Sequence, residues 1–294
     1  MPNLWTLGGL SVRELLRRTW AESWHDAVFG QAGRMAFYHF LAIFPSLLIL
    51  LAFARHIPII VPLKATILGV AKEFLPPQAS SLVEQMLTEL DRHMPVGLEF
   101  ASACAGALWA AANGTWALIY GLNVAYEVEE CRIWWKLGIT VAGLMFSLAL
   151  AGSMSLVLLF SAARIEQRLF PAPPSSHLAG GALRGLEWLT VLALLTFSFA
   201  IIYRFAPNLR KHEWQWSTPG AACALILWVG STIGVRLYFQ HVNDYTRAYG
   251  HLNSVVMLLL WLYFTNAAIV IGGEMNSEIE KAAAERGDTP RSGS

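Results

Sequence analysis

Charged residues are missing from six stretches of the chain, Met35–Ala54, Phe100–Tyr126, Leu137–Ala163, Trp188–Tyr203, Trp214–Val235 and Ala248–Gly273. Each is near the ~20 residues that cross a hydrocarbon core about 30 Å thick. A backbone in hydrocarbon must satisfy its own hydrogen bonds, so each run reads as a helix. The pattern predicts an all-α, polytopic membrane bundle of six transmembrane helices, with spans near 35–54, 100–122, 137–160, 183–203, 216–236 and 253–274.

Periodicity outside the spans adds two features. Val12, Leu15, Leu16, Trp20, Trp24 and Val28 recur at helical spacing, with Arg13, Arg17 and Arg18 off that stripe. Residues 1–33 are therefore expected to form an interfacial amphipathic N-terminal segment rather than a cleavable leader. In the long first loop, Leu82, Val83, Met86, Leu87 and Leu90 form a second stripe, with Ser81 and Glu84 placed as a capping box. Pro76-Pro77 separates it from the apolar stretch Ile57–Ala71, so two lateral helices are expected on the outer mouth of the bundle. Residues 34–280 make up the transmembrane domain, and 281–294 read as a disordered tail.

Composition narrows the class. Only 14% of residues are charged, against roughly 25% in soluble domains. Mean hydropathy is +0.47. The formal net charge of +1 provides no field that would recruit nucleic acid. Cys104 and Cys223 fall in spans and Cys131 in a loop, so no disulfide pair is expected. With both termini inside, Arg13, Arg17, Arg18, Arg34, Arg132, Lys136, Arg204, Arg210, Lys211, Lys281, Arg286 and Arg291 lie on the cytoplasmic side, more than half of the 21 basic residues. That bias predicts an N-in, C-in orientation.

Polar residues in or at the ends of spans are the candidates for function. His39, Asn113 and Thr115 lie at mid-membrane level, where helix packing competes with ligand contact as their role. Arg34, Asn123, Glu127, Arg204, Asn208, Glu274 and Asn276 gather at the cytoplasmic ends of the helices. They can be helix-end anchors, or a polar vestibule in which two arginines balance two glutamates and receive a headgroup or anionic solute. On the opposite side, the loop Gln240–His251 offers Asn243, Tyr249 and Gly250 among hydrogen-bonding and aromatic groups. His241, Asp244 and His251 there invite a metal, but no ligand spacing supports one, and neither metal nor cofactor is expected.

Several segments together resemble the YihY/BrkB family of bacterial inner-membrane proteins, once labelled ribonuclease BN. They are Ala36-Phe37-Tyr38-His39-Phe40 through Phe44-Pro45, and Trp109 to Trp135 with Asn123, Tyr126 and Glu129-Glu130. Tyr203-Arg204-Phe205-Ala206-Pro207-Asn208 follows, then Trp216 and Pro219-Gly220-Ala221. The densest match is Tyr249-Gly250, Leu259-Leu260-Trp261-Leu262-Tyr263 and Gly273-Glu274-Met275-Asn276. The resemblance implies a six-helix inner-membrane protein linked to envelope integrity or serum resistance, without a settled biochemical activity. Residues and resemblance together lead us to expect a protein that binds or transports a lipid or other amphipathic or anionic envelope component. The alternative is a non-transporting scaffold that docks envelope proteins. An enzyme, the ribonuclease included, is disfavoured because no nucleophile–base pair or phosphate-cradling loop is present. Substrate identity and oligomeric state stay open at this level.

Overall fold

Helices occupy each of the six charge-poor runs. The computed structural model describes residues 4–56, 63–92, 97–169, 177–209, 218–241 and 252–286, and every regular element among them is helical. A short 3-10 segment, Leu4–Gly9, precedes α1 (Val12–His25) and α2 (Val28–His56). Then follow α3 (Leu63–Phe74), α4 (Pro77–Arg92), α5 (Leu98–Ala125), α6 (Trp134–Leu169), α7 (His177–Phe205), α8 (Pro219–His241) and α9 (Leu252–Glu285). Among the described residues, three segments are long and apolar enough to cross a membrane: Trp134–Met154, Pro219–Tyr238 and Asn253–Glu285.

The elements pack around α9, which contacts α8, α2, α5, α4, α1 and the 3-10 segment. The main core joins Met35 of α2, Leu118 and Leu122 of α5, Phe199 and Tyr203 of α7, Ala224 of α8 and Val270 of α9. Small residues bring the axes close. A Cβ on Gly114 would stand 2.7 Å from the His39 ring, so α5 meets α2 at this glycine. A Cβ on Gly220 would strike the Gly272 carbonyl, and one on Gly272 would strike the Tyr203 hydroxyl. That hydroxyl already donates to the Ile269 carbonyl (2.8 Å), tying α7 to α9 beside the glycine pair. Close approach at small residues is the means by which helices associate where lipid competes for every apolar surface.

Large apolar side chains point outward on the peripheral helices, among them Ile139, Phe146 and Leu150 on α6 and Ile226, Ile233 and Leu237 on α8. A continuous surface of this kind is a liability in water and a requirement against lipid. The apolar stripe of α1 behaves the same way. Leu15 is buried against Met275 and Ile279, but Val12, Leu16, Trp20 and Trp24 are exposed. Trp20, Trp24 and Phe29 stack on one another with ring centroids 5.0 to 6.1 Å apart. What α1 presents to the protein is the mixed face Leu15, Thr19 and Ser23.

Several boundaries differ from expectation for local reasons. The chain turns at Ala27, which has a positive φ of 50°, and α2 starts at Val28. Arg34 therefore sits inside α2 rather than opening it, and no break separates residues 33 and 34. Ser81 and Glu84 do not cap α4, because the helix begins at Pro77, where a missing N–H costs nothing. Instead the Ser80 N–H already bonds the Pro76 carbonyl (2.9 Å). At the other end, α9 continues past Lys281 to Glu285 because Ala282 and Ala283 are buried there. They meet Gly8, whose left-handed φ of 56° lets the 3-10 segment press against the Ile279 carbonyl. The first-loop helices pair through Ile67, Ala71, Val83 and Leu87, and Ala79 of α4 packs with Met257 and Leu258 of α9.

The glycine crossing gives a direct stability test. Gly220→Ala should destabilise the folded protein by about 1–3 kcal/mol, since the opposing atom is backbone and cannot swing aside. Gly230→Ala, with nothing within 4 Å, should be neutral or slightly stabilising. Unfolding in detergent titrations measures both. Equal effects at the two sites would contradict the close α8–α9 crossing.

Candidate functional site

The residues expected to form one vestibule separate into distinct groups at the helix ends. The most elaborate is built on Asn123, buried near the end of α5. Its amide donates to Glu130 (2.8 Å), and its Oδ1 accepts the Asn208 N–H (2.8 Å). The Asn208 amide in turn donates to the Glu129 carbonyl (2.9 Å). Arg132 grips Glu130 through Nε (2.7 Å) and Nη2 (2.6 Å), and Nη2 also reaches the Ala206 carbonyl (2.8 Å). A guanidinium beside the last carbonyls of α7 satisfies acceptors that the helix leaves open. The result is a clasp fastening the α5–α6 loop onto the end of α7. Burial tends to push the Glu130 carboxyl up, but its hydrogen bonds from Arg132 and Asn123 outweigh this and hold it below the usual carboxylate range.

Asn276 forms a second contact. Its Oδ1 accepts the Gly220 N–H (2.9 Å), and its amide donates to the Thr218 hydroxyl (3.1 Å). Thr218 also accepts the Ala221 N–H (3.1 Å), so two side chains cap the start of α8. Glu127 is exposed, lies just past α5 with a left-handed φ of 50°, and accepts from Lys281 (2.8 Å). Lys281 also donates to the buried Glu278 (2.9 Å).

The arginines are not balanced by the glutamates as expected. Arg34 lies over the rings of Tyr120 (4.6 Å) and Trp116 (5.8 Å) and donates to Gln31 (2.8 Å). Arg204 lies over Phe205, 6.0 Å from the ring centroid. Among the described residues no ion pair joins either arginine to Glu127 or Glu274.

Glu274 stands apart. It is 1% exposed, and neither carboxylate oxygen has a hydrogen-bond partner. A buried polar atom with no partner is uncommon enough in native structures to point to function.

The mid-membrane residues are largely spent on their own helices. Asn113 donates to the Trp109 carbonyl (2.8 Å) and Thr115 to that of Ala111 (2.9 Å). His39 rests on Gly114 and beside Asn266, a buried α9 residue whose amide bonds the Leu262 carbonyl (2.8 Å). Asn243, Tyr249 and Gly250, with Asp244 and His251, lie outside the described residues, and His241 is the last residue of α8. Glu130, Arg132, Thr218, Glu278 and Lys281 were not among the expected site residues. Only the Glu129-Glu130 turn gave a sequence signal, and the other partners are remote along the chain.

A helical protein with membrane-crossing helices, lipid-suited outer faces and polar clasps at its helix ends is a membrane protein. The chain belongs to the family described as virulence factor BrkB, which it matches over residues 19–294. It is 27% identical over 251 residues to a Bacillus subtilis protein named ribonuclease-like protein YfkH, covering 85% of this chain and 90% of the relative. It is 26% identical over 256 residues to UPF0761 membrane protein VP0125 of Vibrio parahaemolyticus, covering 87% and 78%. A UPF0761 membrane protein of Tolumonas auensis is 25% identical over 267 residues, covering 88% and 83%. No solved structure matches the chain.

The clasp is testable through Cys131, an exposed native cysteine in the loop it fastens. With Cys104 and Cys223 replaced by alanine, a spin label on Cys131 should be restrained at neutral pH. Asn123→Ala leaves the Asn208 N–H unpaired, should cost about 1–3 kcal/mol locally, and should loosen the label. Because the Glu130 carboxyl is depressed in the folded protein, its stabilisation is present at neutral pH. It is lost only as pH falls below the ordinary carboxylate range, where the label should also loosen. Unchanged mobility in Asn123→Ala would contradict the clasp.

Proposed function

We propose that this is a six-span bacterial inner-membrane protein, N-in and C-in, that binds a lipid or other amphipathic envelope component near the end of α9. The observation that carries this reading is Glu274, an acid fully buried in a membrane protein with no donor to either oxygen. Such a group is retained at a cost of several kcal/mol, which helix packing alone does not require. It is suited to accept a hydrogen bond or a cationic headgroup group from a ligand whose tails remain in lipid. α1 packs along the same end of α9, through Leu15 on Met275 and Ile279 and a long Arg18–Glu285 pair (3.8 Å).

This placement favours the Glu274 end of the bundle over Arg34 and Arg204, whose guanidiniums are occupied by aromatic rings. It also supports a non-enzymatic role. The ribonuclease-like name belongs to YfkH, and Arg132, the most engaged guanidinium at this end, is committed to Glu130 and the end of α7. A membrane scaffold is the second reading. It is favoured by Asn123, Asn208 and Asn276, which are all consumed in fastening helix ends.

Native mass spectrometry of gently solubilised protein separates the two. A discrete lipid should remain on the wild type and be lost, by at least tenfold in occupancy, from Glu274→Gln. Glu99→Gln, at an exposed position early in α5, should retain it. Bulk lipid only, unchanged by Glu274→Gln, would overturn the binding reading and leave the scaffold.

A further inference from the structure

The seam between α2 and α5 carries a guanidinium without a counter-ion. Arg17 and Arg18 pair with Glu14, and Arg132 pairs with Glu130. Arg34 has no such acid among the described residues. It donates through Nη2 to Gln31 (2.8 Å), and its Nε is buried without an acceptor. Arg34 lies about 9 Å past the start of α2 at 1.5 Å per residue, and Tyr120 stands five residues before the end of α5. The two helices meet where a Cβ on Gly121 would lie 3.7 Å from Gln31 and from Met35. Next to that contact the Arg34 guanidinium rests over Tyr120 (4.6 Å) and Trp116 (5.8 Å), whose rings are 6.1 Å apart and 42% and 44% exposed. Trp109, Trp116 and Tyr120 follow one another at i, i+7 and i+11, so this edge of α5 is an outward-facing aromatic stripe.

A charged group on the outer surface of a membrane bundle is costly to leave without an anion. Ring faces attract a guanidinium but bring no negative charge to it. The anion that a bilayer supplies near the aromatic belt is the phosphate of its headgroups. We propose that Arg34, Trp116 and Tyr120 form a site on the outside of the bundle for the phosphate of an anionic phospholipid. The rings take one face of the guanidinium, which withdraws it from any vestibule shared with Glu274. Its planar edge stays free to hold phosphate oxygens by paired N–H···O bonds. Gly30 leaves room for the headgroup: it is exposed, and a Cβ added there meets nothing within 4 Å. Arg34 follows it at i+4 on the same face and leans back toward it, as its bond to Gln31 shows. One turn deeper on α2, exposed Phe37 offers an apolar surface to the acyl chains, with exposed Trp109 beside it across Tyr38 (5.5 and 6.1 Å between ring centroids).

This site shares no residue with the one at Glu274 and does not rest on it. The test is native mass spectrometry of delipidated, full-length protein titrated with deuterated phosphatidylglycerol, whose mass separates it from lipid carried through purification. The first phosphatidylglycerol should bind at least about fivefold more tightly than deuterated phosphatidylcholine, and Arg34→Gln should abolish that preference. Gly30→Leu keeps the arginine and fills the open space beside it, and should weaken binding severalfold without touching the core. Arg13→Gln, which removes an exposed arginine of α1, and Glu274→Gln should both bind as wild type. Inorganic phosphate in millimolar excess should not compete. No preference in the wild type overturns the site, as does wild-type binding by both Arg34→Gln and Gly30→Leu. An equal loss in Arg13→Gln would mean attraction by positive charge alone, and displacement by inorganic phosphate would mean a soluble-anion site; either overturns the assignment. The two lipid readings fail separately, because the co-purified lipid answers to Glu274→Gln and the deuterated lipid to Arg34→Gln.

Discussion

One helix sets the terms for the rest of the molecule. α9 is buried along most of its length, including Glu274, Asn276, Ser277 and Glu278, four polar residues in succession but for Met275. Each buried polar group costs about 1–3 kcal/mol unless it finds a partner. Thr218 and the start of α8 supply partners to Asn276, and Lys281 of α9 itself supplies one to Glu278. The 3-10 segment and α1 close over the last turns, where Arg286 donates to the Gly9 carbonyl (2.6 Å). Glycines at 220 and 272 are the geometric condition for this, because only without side chains can the α8 backbone come near enough for Asn276 to reach it.

Against that background Glu274 is the exception that gives the structure a function to explain. Every other buried acid or amide discussed at this end is matched to a donor or acceptor within the protein. Glu274 is matched to none. A vestibule designed around arginine for an anion would place guanidinium there. Instead the arginines lie on ring faces or on helix carbonyls, and Glu274 is left with two acceptor oxygens and no donor.

The helices themselves were legible from the sequence, because a charge-free run of membrane length leaves the backbone few alternatives. The α1 stripe was legible as a pattern, expected to lie in the interface plane. Val12, Leu16, Trp20 and Trp24 face away from the protein while Leu15 turns onto α9, and hydrophobicity alone does not distinguish these two fates within one stripe. The α4 start was misplaced because Ser81–Glu84 matched a capping pattern while Pro77 supplied the stronger constraint. Asn123 and Asn208 stand near helix ends, whereas Glu274 and Asn276, expected to close the last span, lie inside α9, which runs on to Glu285, and the partners of all four were not legible. Asn208 meets Asn123 across 85 positions, and Lys281 meets Glu127 across 154, separations over which no periodicity carries information. Balancing the charges of Arg34 and Arg204 against Glu127 and Glu274 counted signs without knowing which faces the helices turn to one another.

The account depends above all on α1 lying along the polar end of α9 with its Leu15 face inward. Paired cysteines in a cysteine-free background measure this in native membranes. Leu15→Cys with Ile279→Cys should form a disulfide rapidly on mild oxidation, since the two side chains share one buried cluster. Leu16→Cys with Ile279→Cys, from the exposed face of α1, should not. Cross-linking through Leu16 in preference to Leu15, or through neither, would contradict the packing of α1 on the polar end of α9.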